Sequence, residues 1–398
     1  MRDVLILCPQ ARDRNAVRAA GLHERYDVHF VGADLDTFAG FDPAAFLDEC
    51  MALPADGVIG TKDRSALLAA LLAARRGLPG PSPAALLACQ HKLQSRSLQR
   101  SVVAGAIPAF THLNGAPGFL PPFPPPWFAK PVVGRLSQGV RRIDRAADLV
   151  SLSDSAPYTS AYADIAELAG MPRRAVSGFV VEELASGMEV TLEGYVYAGD
   201  VRVIGITDSV KYPGTNSFER FEYPSSLPEE RRRELAGLTE KVLPALGFDG
   251  GFFNVEFLVP DEGPATLVEV NGRIASQFAP LIQAVHGRST YDALAALACG
   301  EDPKWSVSSA QRVAISYVLR TFDDAFVEAV PDPEEGLEVL VRPGLRLSQQ
   351  GLNDMESYRL AIVYAAGETR QEALERCLER AASLDFRLQR APAPLRSA

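Results

Sequence analysis

FFNVEFLVPDEGPATLVEVNGRI, residues 252–274, is the stretch on which the fold turns. FFNVEFLV and TLVEVN are short runs rich in β-branched and aromatic residues, and PDEGPA between them is turn chemistry, so the stretch predicts a β-hairpin. Side chains alternate faces along a strand. Asn254 and Glu256 therefore share one face, while Phe253, Val255 and Phe257 share the other; in the return strand Glu269 and Asn271 lie together, with Val268 and Val270 opposed to them. A turn centred between Glu262 and Gly263 sets Glu256 directly opposite Glu269. Like charges facing across a strand pair are unfavourable, by an amount comparable to the ~0.2–1 kcal/mol that an opposite pair contributes. A hard divalent cation between the carboxylates reverses the sign, because Mg²⁺ is held by one or two carboxylates together with substrate phosphates. Asn271 then offers a neutral oxygen ligand, and Arg273 a fixed positive fork for a phosphoryl group in transfer. The plainer reading, a half-exposed hairpin with scattered polar residues, fits the same alternation.

Working outward, 398 residues exceed what one hydrophobic core usually serves, which predicts two or three subdomains. A chain that is 47% hydrophobic and 23% charged has the composition of a soluble globular protein. The net charge of −10 argues against a duplex nucleic-acid partner, although a few local Lys and Arg residues suffice for one polyphosphate. Cys8, Cys50, Cys89, Cys299 and Cys377 are widely spread, with no CxxC pair and no zinc-like Cys/His spacing. They read as small buried hydrophobes in a reducing compartment. The apolar run in MRDVLILCPQ is too short for a signal peptide, and LLAALLAA (67–74) stops at Arg75 and Arg76, far short of a membrane span. The expectation is a cytoplasmic protein without a membrane or nucleic-acid partner, with a homodimer left open.

Residues 1–90 read as a small α/β unit. VLIL (4–7), VHFVG (28–32) and DGVIG (56–60) are strand-like, with helical stretches such as 65–75 between or after them, which predicts a Rossmann-like open sheet. The loop CPQARDRN after the first strand lacks a glycine fingerprint, so this unit is expected to wall a cleft and not to bind a dinucleotide by itself. Ser82 and Pro83 start a helix, and a second segment from about His91 to Ala104 carries Lys92 at its head. The stiff GFLPPFPPPW leads into the strand WFAKPVV, whose Lys130 sits among apolar residues and so calls for a partner. GRLSQGVRRI follows, a loop in which Gly134 and Gly139 allow inward-pointing amides and Ser137 adds a hydroxyl, as a phosphate clamp requires; short glycine hairpins of other kinds look the same.

FVVEEL, EVTLEGYVY and VRVIGIT are expected to form one antiparallel sheet through SG and AGD turns. Glu182 could accept from an exocyclic amine, the main chain of Glu183 and Leu184 could pair with a base edge, and Glu189 could accept from ribose hydroxyls; equally, these are charges guarding an edge strand. VKYPGTNSFERFEYPSS, with Lys211 and Arg220, is long enough for a mobile flap. Residues 227–246 form an amphipathic helix opened by Pro228 and closed by Gly247, and 290–299 another helix. From about Trp305 onward, RVAISYVLRT, GLEVLVRP and YRLAIVYAAG precede a helix capped by Thr369 with Glu372, a small α+β lobe without a chemical constellation.

Taken in order, Lys92, WFAKPVVGRLSQGV, VVEELASGMEV, NVEFLV and LVEVNGR resemble the ATP-grasp superfamily over roughly residues 1–390. The resemblance implies a fold of mixed α/β and α+β character: a Rossmann-like leading domain (1–90), a two-lobed nucleotide-binding core (91–300, small lobe about 110–180, large lobe about 181–300) and a trailing α+β lobe (301–398). It places Lys92 and Lys130 on the phosphates of ATP under the Gly134–Ser137–Gly139 loop, Glu182 with the Glu183 and Leu184 backbone on adenine, and Glu189 on ribose. It assigns Glu256, Glu269 and Asn271 to Mg²⁺, with Mn²⁺ a substitute, and Arg273 to the charge developing in phosphoryl transfer; Lys211 and Arg220, in a flap that departs from the family pattern, are further catalytic candidates outside the resemblance. The implied activity is that of an ADP-forming ligase joining a carboxylate to an amine through an acyl phosphate, in which positioning and electrostatics carry catalysis. The Ser-x-Gly-Val ending of the loop resembles the amino-acid and dipeptide ligases more than the glycine-richer biotin carboxylases. A bicarbonate-using enzyme and a non-catalytic ATP-binding protein remain the alternatives, and Ser276, Gln277 and His286 are the expected places for substrate selectivity.

Overall fold

The computed structural model describes residues 1–36, 40–113, 119–134, 139–152, 157–306, 312–350, 353–354 and 357–390. The apolar VLIL run lies in β1 (Arg2–Leu7), where Val4 to Leu7 are fully buried, and β1 is flanked in parallel by β2 (Tyr26–Val31) and β3 (Gly57–Ile59). A continuous apolar run is what a strand covered on both faces requires. Helices α1 (Ala11–Ala19), α2 (Pro43–Cys50) and α3 (Asp63–Arg76) complete the expected open α/β sheet. Gly60 lets the β3 end pass the head of α3 closely: a Cβ there would fall 2.1 Å from the Ser65 carbonyl oxygen.

Ser82 caps α4 (Pro83–Gln90) by accepting from the Ala85 amide, and α5 (Lys92–Val103) follows directly. His91 caps α5 through Nδ1, which accepts from the Gln94 amide at 3.2 Å. The Lys92 amide donates to the Val132 carbonyl at 2.8 Å, so the head of α5 is tied to the end of the WFAKPVV strand.

That strand, β5 (Trp127–Pro131), belongs to a four-stranded antiparallel sheet with β4 (Phe110–Leu113), β6 (Arg141–Ile143) and β7 (Phe179–Glu183), in the order β4-β7-β5-β6; α6 (Pro157–Leu168) lies between β6 and β7 in sequence. The expected hairpin of FVVEEL with EVTLEGYVY is corrected here: β7 pairs with β4 and β5, and β8 (Met188–Tyr197) belongs to another sheet. The SG step is a crossing and not a turn. Gly187, at φ 142°, lies so close to the Val259–Pro260 main chain that a Cβ would come within 2.6 Å of it, which only glycine permits.

The second sheet runs β12-β11-β8-β9, with β9 spanning Asp200–Lys211, β10 (Phe218–Tyr223) next in the chain, and the predicted hairpin present as β11 (Gly251–Val259) and β12 (Thr266–Asn271). Phe253, Val255 and Phe257 are fully buried and share an apolar core with Leu235, Val242 and Leu243 of α7 (Glu229–Ala245). Each such side chain stabilises the fold by about 1.5–3 kcal/mol. That outweighs the ~1 kcal/mol or less at which facing acids on the other side of the hairpin oppose it.

Two compact units divide the chain. One comprises Met1–Ile206, Ser225–Ala279 and Arg288–Ser308; the other comprises Thr207–Pro224, Pro280–Gly287 and Ser309–Ala398. Helix α8 (Ala279–His286) lies almost wholly in the second unit and α9 (Thr290–Ala298) in the first. In the second unit the end of β9 pairs with β10, β10 with β13 (Val313–Thr321), and β14 (Ala325–Ala329) with β18 (Arg387–Arg390). There β15 (Leu337–Val339) and β16 (Asn353–Asp354) pair with β17 (Ser357–Gly367), which also pairs with β13. Helix α10 (Arg370–Ser383), capped by Thr369 as expected, packs Ala373 and Cys377 against Ile315 and Val363.

The expected flap is also corrected. Lys211 ends β9 and Arg220 lies inside β10, in a hairpin closed by the Tyr212 amide on the Ser217 carbonyl at 2.9 Å. Three aromatic residues within the six of FERFEY favour a strand over a loop. Among the described residues, no helix is long and apolar enough to cross a membrane.

Candidate functional site

Register defines the site. Across β11 and β12, Asn254 faces Asn271 and Glu256 faces Glu269; across β11 and β8, Asn254 faces Glu193 and Glu256 faces Thr191. Residues opposite one another share a face of the sheet. One face therefore carries two rows, Glu193–Asn254–Asn271 and Thr191–Glu256–Glu269, with Glu189 one pleat further along β8. Burial first, then the charges of Glu269 and Glu189, push the Glu256 carboxyl up to about 8, against the pull of Arg273 and Lys130. Asn271 Nδ2 donates to Glu256 Oε1 at 3.3 Å and to Asn254 Oδ1 at 2.9 Å.

Lys92 is the cation nearest this pair: its Nζ stands 2.9 Å from Glu269 Oε1 and donates to the Gly134 carbonyl at 3.4 Å. Burial works to lower the Lys92 ammonium, and Glu269, with Asp63 and Glu256 behind it, more than compensates, so the group ends above its ordinary value. Gly134 and Gly139 frame the loop between β5 and β6, with Gly139 at φ 74°; Ser137 lies outside the described residues.

Lys130 finds the partner that its apolar strand demands. Its Nζ lies 2.9 Å from Glu182 Oε2, while Arg96 Nε donates to Glu182 Oε1 at 2.6 Å and Arg96 Nη2 to Oε2 at 3.3 Å. Burial alone would raise the Glu182 carboxyl, but Lys130 and Arg96 overrule it and hold it at about 2. The reading of Glu182 as an acceptor for a nucleobase amine is corrected accordingly: both oxygens are engaged by internal cations, and the side chain is 3% exposed. The Glu183 amide is also engaged, donating to the Ala109 carbonyl at 2.9 Å, so it is not free for the edge-on pairing expected of it. Arg96 escaped the sequence reading, although it lies four residues after Lys92 and hence on the same face of α5.

Arg273 is held from several sides. Its Nε donates to Asp63 Oδ1, on the first residue of α3, at 2.5 Å, and its Nη2 to Asn271 Oδ1 at 3.3 Å; its carbonyl accepts from Asn254 Nδ2 at 3.0 Å. Burial opposes its charge, yet Asp63, Glu256 and Glu269 keep the guanidinium firmly protonated. Glu193, also missed, accepts the Ala275 amide at 3.2 Å; period-two counting along β8 from Glu189 through Thr191 reaches it. Ser276 is buried and Gln277 half-buried just beyond this turn.

The remaining candidates belong to the second unit. Arg220 donates from Nε to Glu222 Oε1 at 2.7 Å and also pairs with Glu219, while Lys211 Nζ lies 5.5 Å from the Phe218 ring centroid. His286 Nε2 shares a 2.6 Å hydrogen bond with the Tyr223 hydroxyl, and burial pushes its pKa down.

The donor set suits a hard divalent cation. Glu256, Glu269 and Asn271 present oxygens on one face, and the acid pair with its raised member is the kind of charge conflict that such a cation relieves.

Residues 123–280 match the family model of the ATP-grasp domain. Among solved structures, the chain is similar to an L-amino acid ligase from Bacillus licheniformis, with a TM-score of 0.77 and 18% identity over 98% of this chain and 99% of that one. It is similar to phosphoribosylglycinamide synthetase from Anaerococcus prevotii (TM-score 0.69, 14% identity, 98% and 100% covered). It is also similar to the biotin carboxylase domain of 2-oxoglutarate carboxylase from Hydrogenobacter thermophilus, solved with MgADP and bicarbonate (TM-score 0.69, 14% identity, 98% and 91% covered). At these identities the likeness establishes the fold. A curated relative, the uncharacterized protein y4rH of Sinorhizobium fredii, is 26% identical over 290 residues, 69% of this chain; the match spans about half, 56%, of that relative's length.

Proposed function

We propose that this chain, whose residues 123–280 match the ATP-grasp domain, is an ATP- and Mg²⁺-dependent ligase joining a carboxylate to an amine, with release of ADP and phosphate. The observation that carries the reading is the facing pair Glu256 and Glu269, with Lys92 at 2.9 Å from one of them and Arg273 on the same rim. Magnesium, held by Glu256, Glu269 and Asn271, would neutralise phosphate oxygens. The protein residues do the rest by position. Lys92 and Lys130 supply positive charge to the polyphosphate beside the Gly134–Gly139 loop, and Glu182, itself held by Arg96, keeps Lys130 aimed. Arg273 meets the charge that builds on the transferring phosphoryl group, an interaction worth most in a site closed to water.

The chemistry needs no nucleophile from the protein. A substrate carboxylate oxygen attacks the γ-phosphorus, ADP departs, and the resulting acyl phosphate is attacked by an amine, which loses a proton as phosphate leaves. A carboxylate is a poor acyl donor until its oxygen can leave as phosphate, so the nucleotide is spent on activation. The Bacillus licheniformis enzyme, by its name an L-amino acid ligase, supports amino acids as the first substrates to try.

The test is a phosphate-release screen over paired carboxylates and amines, with mass spectrometry of the products and a bicarbonate arm. Amine-dependent ADP formation with an amide product is the expected result. ADP formation that requires bicarbonate and no amine, or tight ATP binding without turnover across the panel, overturns the ligase reading.

A further inference from the structure

Glu193 has no part in the chemistry above, yet it occupies an unusual position. It is 2% exposed, stands on β8 opposite Asn254, and through Asn254 is in line with Asn271. Its Oε1 accepts the Ala275 amide at 3.2 Å, whereas its Oε2, fully enclosed, has no hydrogen-bond partner among the described residues. Its neighbour Asn254 accepts from Asn271 Nδ2 at 2.9 Å and donates to the Arg273 carbonyl at 3.0 Å. Two adjacent side chains on one sheet face thus grip the main chain on both sides of residue 274: Asn254 at the Arg273 carbonyl and Glu193 at the Ala275 amide. Burial pushes the Glu193 carboxyl up to about 8, so at neutral pH it is an uncharged acid that accepts through one oxygen. A buried carboxyl with one oxygen left over is a costly way to fill a core position, and such groups concentrate where chemistry needs them.

We propose that Glu193 is a positioning residue for phosphoryl transfer: by anchoring the Ala275 amide it holds the 273–275 turn so that the Arg273 guanidinium and the Asn271 oxygen stay in register with the Glu256–Glu269 pair. The catalytic consequence rests on the ligase reading; the anchoring does not. Small displacements of a charge-stabilising group matter, since a misplacement of roughly 1 Å can cost about 10²-fold in rate. Asn254 and Glu193 divide the task, because Asn254 fixes only the near side of the turn.

Glu193→Gln and Glu193→Leu in the full chain separate this from simple packing. Glutamine keeps an uncharged acceptor, and leucine keeps the bulk but removes it. Two readouts are taken: amide hydrogen exchange of residues 272–278 in the ligand-free protein, and kcat and KM(ATP) for ADP formation. The leucine variant is expected to exchange the Ala275 amide at least about tenfold faster and to lose about 10²-fold in kcat, with KM(ATP) within about twofold; the glutamine variant stays within about threefold of wild type on all counts. Wild-type exchange or wild-type kcat in the leucine variant overturns the proposal, as does a glutamine variant as impaired as leucine. Should leucine prevent folding, the glutamine variant alone decides, because removing the ionisable proton must leave both readouts unchanged. If wild type turns over no carboxylate–amine pair, the ligase reading falls, while faster exchange in leucine and its restoration in glutamine still uphold the anchor, and unchanged exchange sinks it.

Discussion

Lys92 Nζ stands 2.9 Å from Glu269 Oε1, so the residue at the head of α5 and one of the two facing hairpin acids form an ion pair. Any cation that binds Glu269 must displace Lys92 or share the carboxylate with it. On the proposed function two demands meet at this ion pair: phosphate would need Lys92, and magnesium would need Glu269 freed of it. A bound nucleotide would resolve the conflict by offering Lys92 its phosphate oxygens in exchange.

Lys92→Met is accordingly expected to move two affinities in opposite directions. Mg²⁺ alone should bind more tightly, because its competitor for Glu269 is gone, while ATP should bind about tenfold or more weakly for want of a charge-assisted contact. Titration calorimetry with Mg²⁺ and with ATP checks both. Parallel loss of both affinities would show that Lys92 supports the site's shape and not its charge balance.

The facing acids predict a trade between stability and function. Glu256→Gln removes the cost of burying this acid opposite Glu269 and should stabilise the metal-free protein by on the order of 1 kcal/mol in denaturant unfolding with EDTA. The same substitution should abolish the added stability that Mg²⁺ with ADP confers, and Glu269→Gln should lower ADP formation by about 10²–10³-fold. Near wild-type turnover in Glu269→Gln would remove the metal role assigned to the pair.

What could be read from the amino-acid order follows the range of each interaction. The Glu256–Glu269 opposition was legible because a hairpin is local, and the facing pair falls where the counting puts it, although the register shifts directly beyond it: Phe257 faces Leu267, which centres the turn on Glu262 and not between Glu262 and Gly263. The β1–β3 unit was legible because a strand covered on both faces writes itself as a continuous apolar run. Glu182 was misjudged because its partners, Arg96 and Lys130, lie 86 and 52 positions away in the chain and nothing local announces them. The sheet assignment of β7 failed for a related reason. A Ser-Gly step looks like a hairpin turn, and only the nearby Val259–Pro260 main chain reveals it as a crossing.

Arg273 should not tolerate lysine. Its guanidinium spans Asp63 and Asn271 with different nitrogens, at 2.5 and 3.3 Å, a two-pronged arrangement that a point charge on a flexible stem cannot reproduce. Arg273→Lys should lower kcat by about 10²-fold with little change in KM(ATP), since the proposed function leaves ATP ground-state binding to Lys92 and Lys130. Steady-state kinetics at saturating Mg²⁺ checks the split. A loss confined to KM(ATP) would move Arg273 from the transferring phosphoryl group to ground-state binding.

The Glu182 cluster makes a pH-dependent prediction whose sign is fixed by its cations. Lys130 and Arg96 hold the folded carboxyl at about 2, below its unfolded value, so the charged form is the one that folding favours. Stability from this group is therefore fully present above the unfolded glutamate value of about 4.3 and is lost as pH falls towards 2, a contribution of roughly 3 kcal/mol. Glu182→Gln removes the anion and leaves two buried cations without it, which should destabilise the protein by about 3–5 kcal/mol at neutral pH. Because protonating the wild-type carboxyl has the same consequence as the substitution, the gap between the two proteins should narrow steadily between about pH 4.5 and 2. Urea unfolding of both proteins across that range measures it. A gap independent of pH would mean that the glutamate contributes by hydrogen-bond geometry alone and that its charge is not what keeps Lys130 in place.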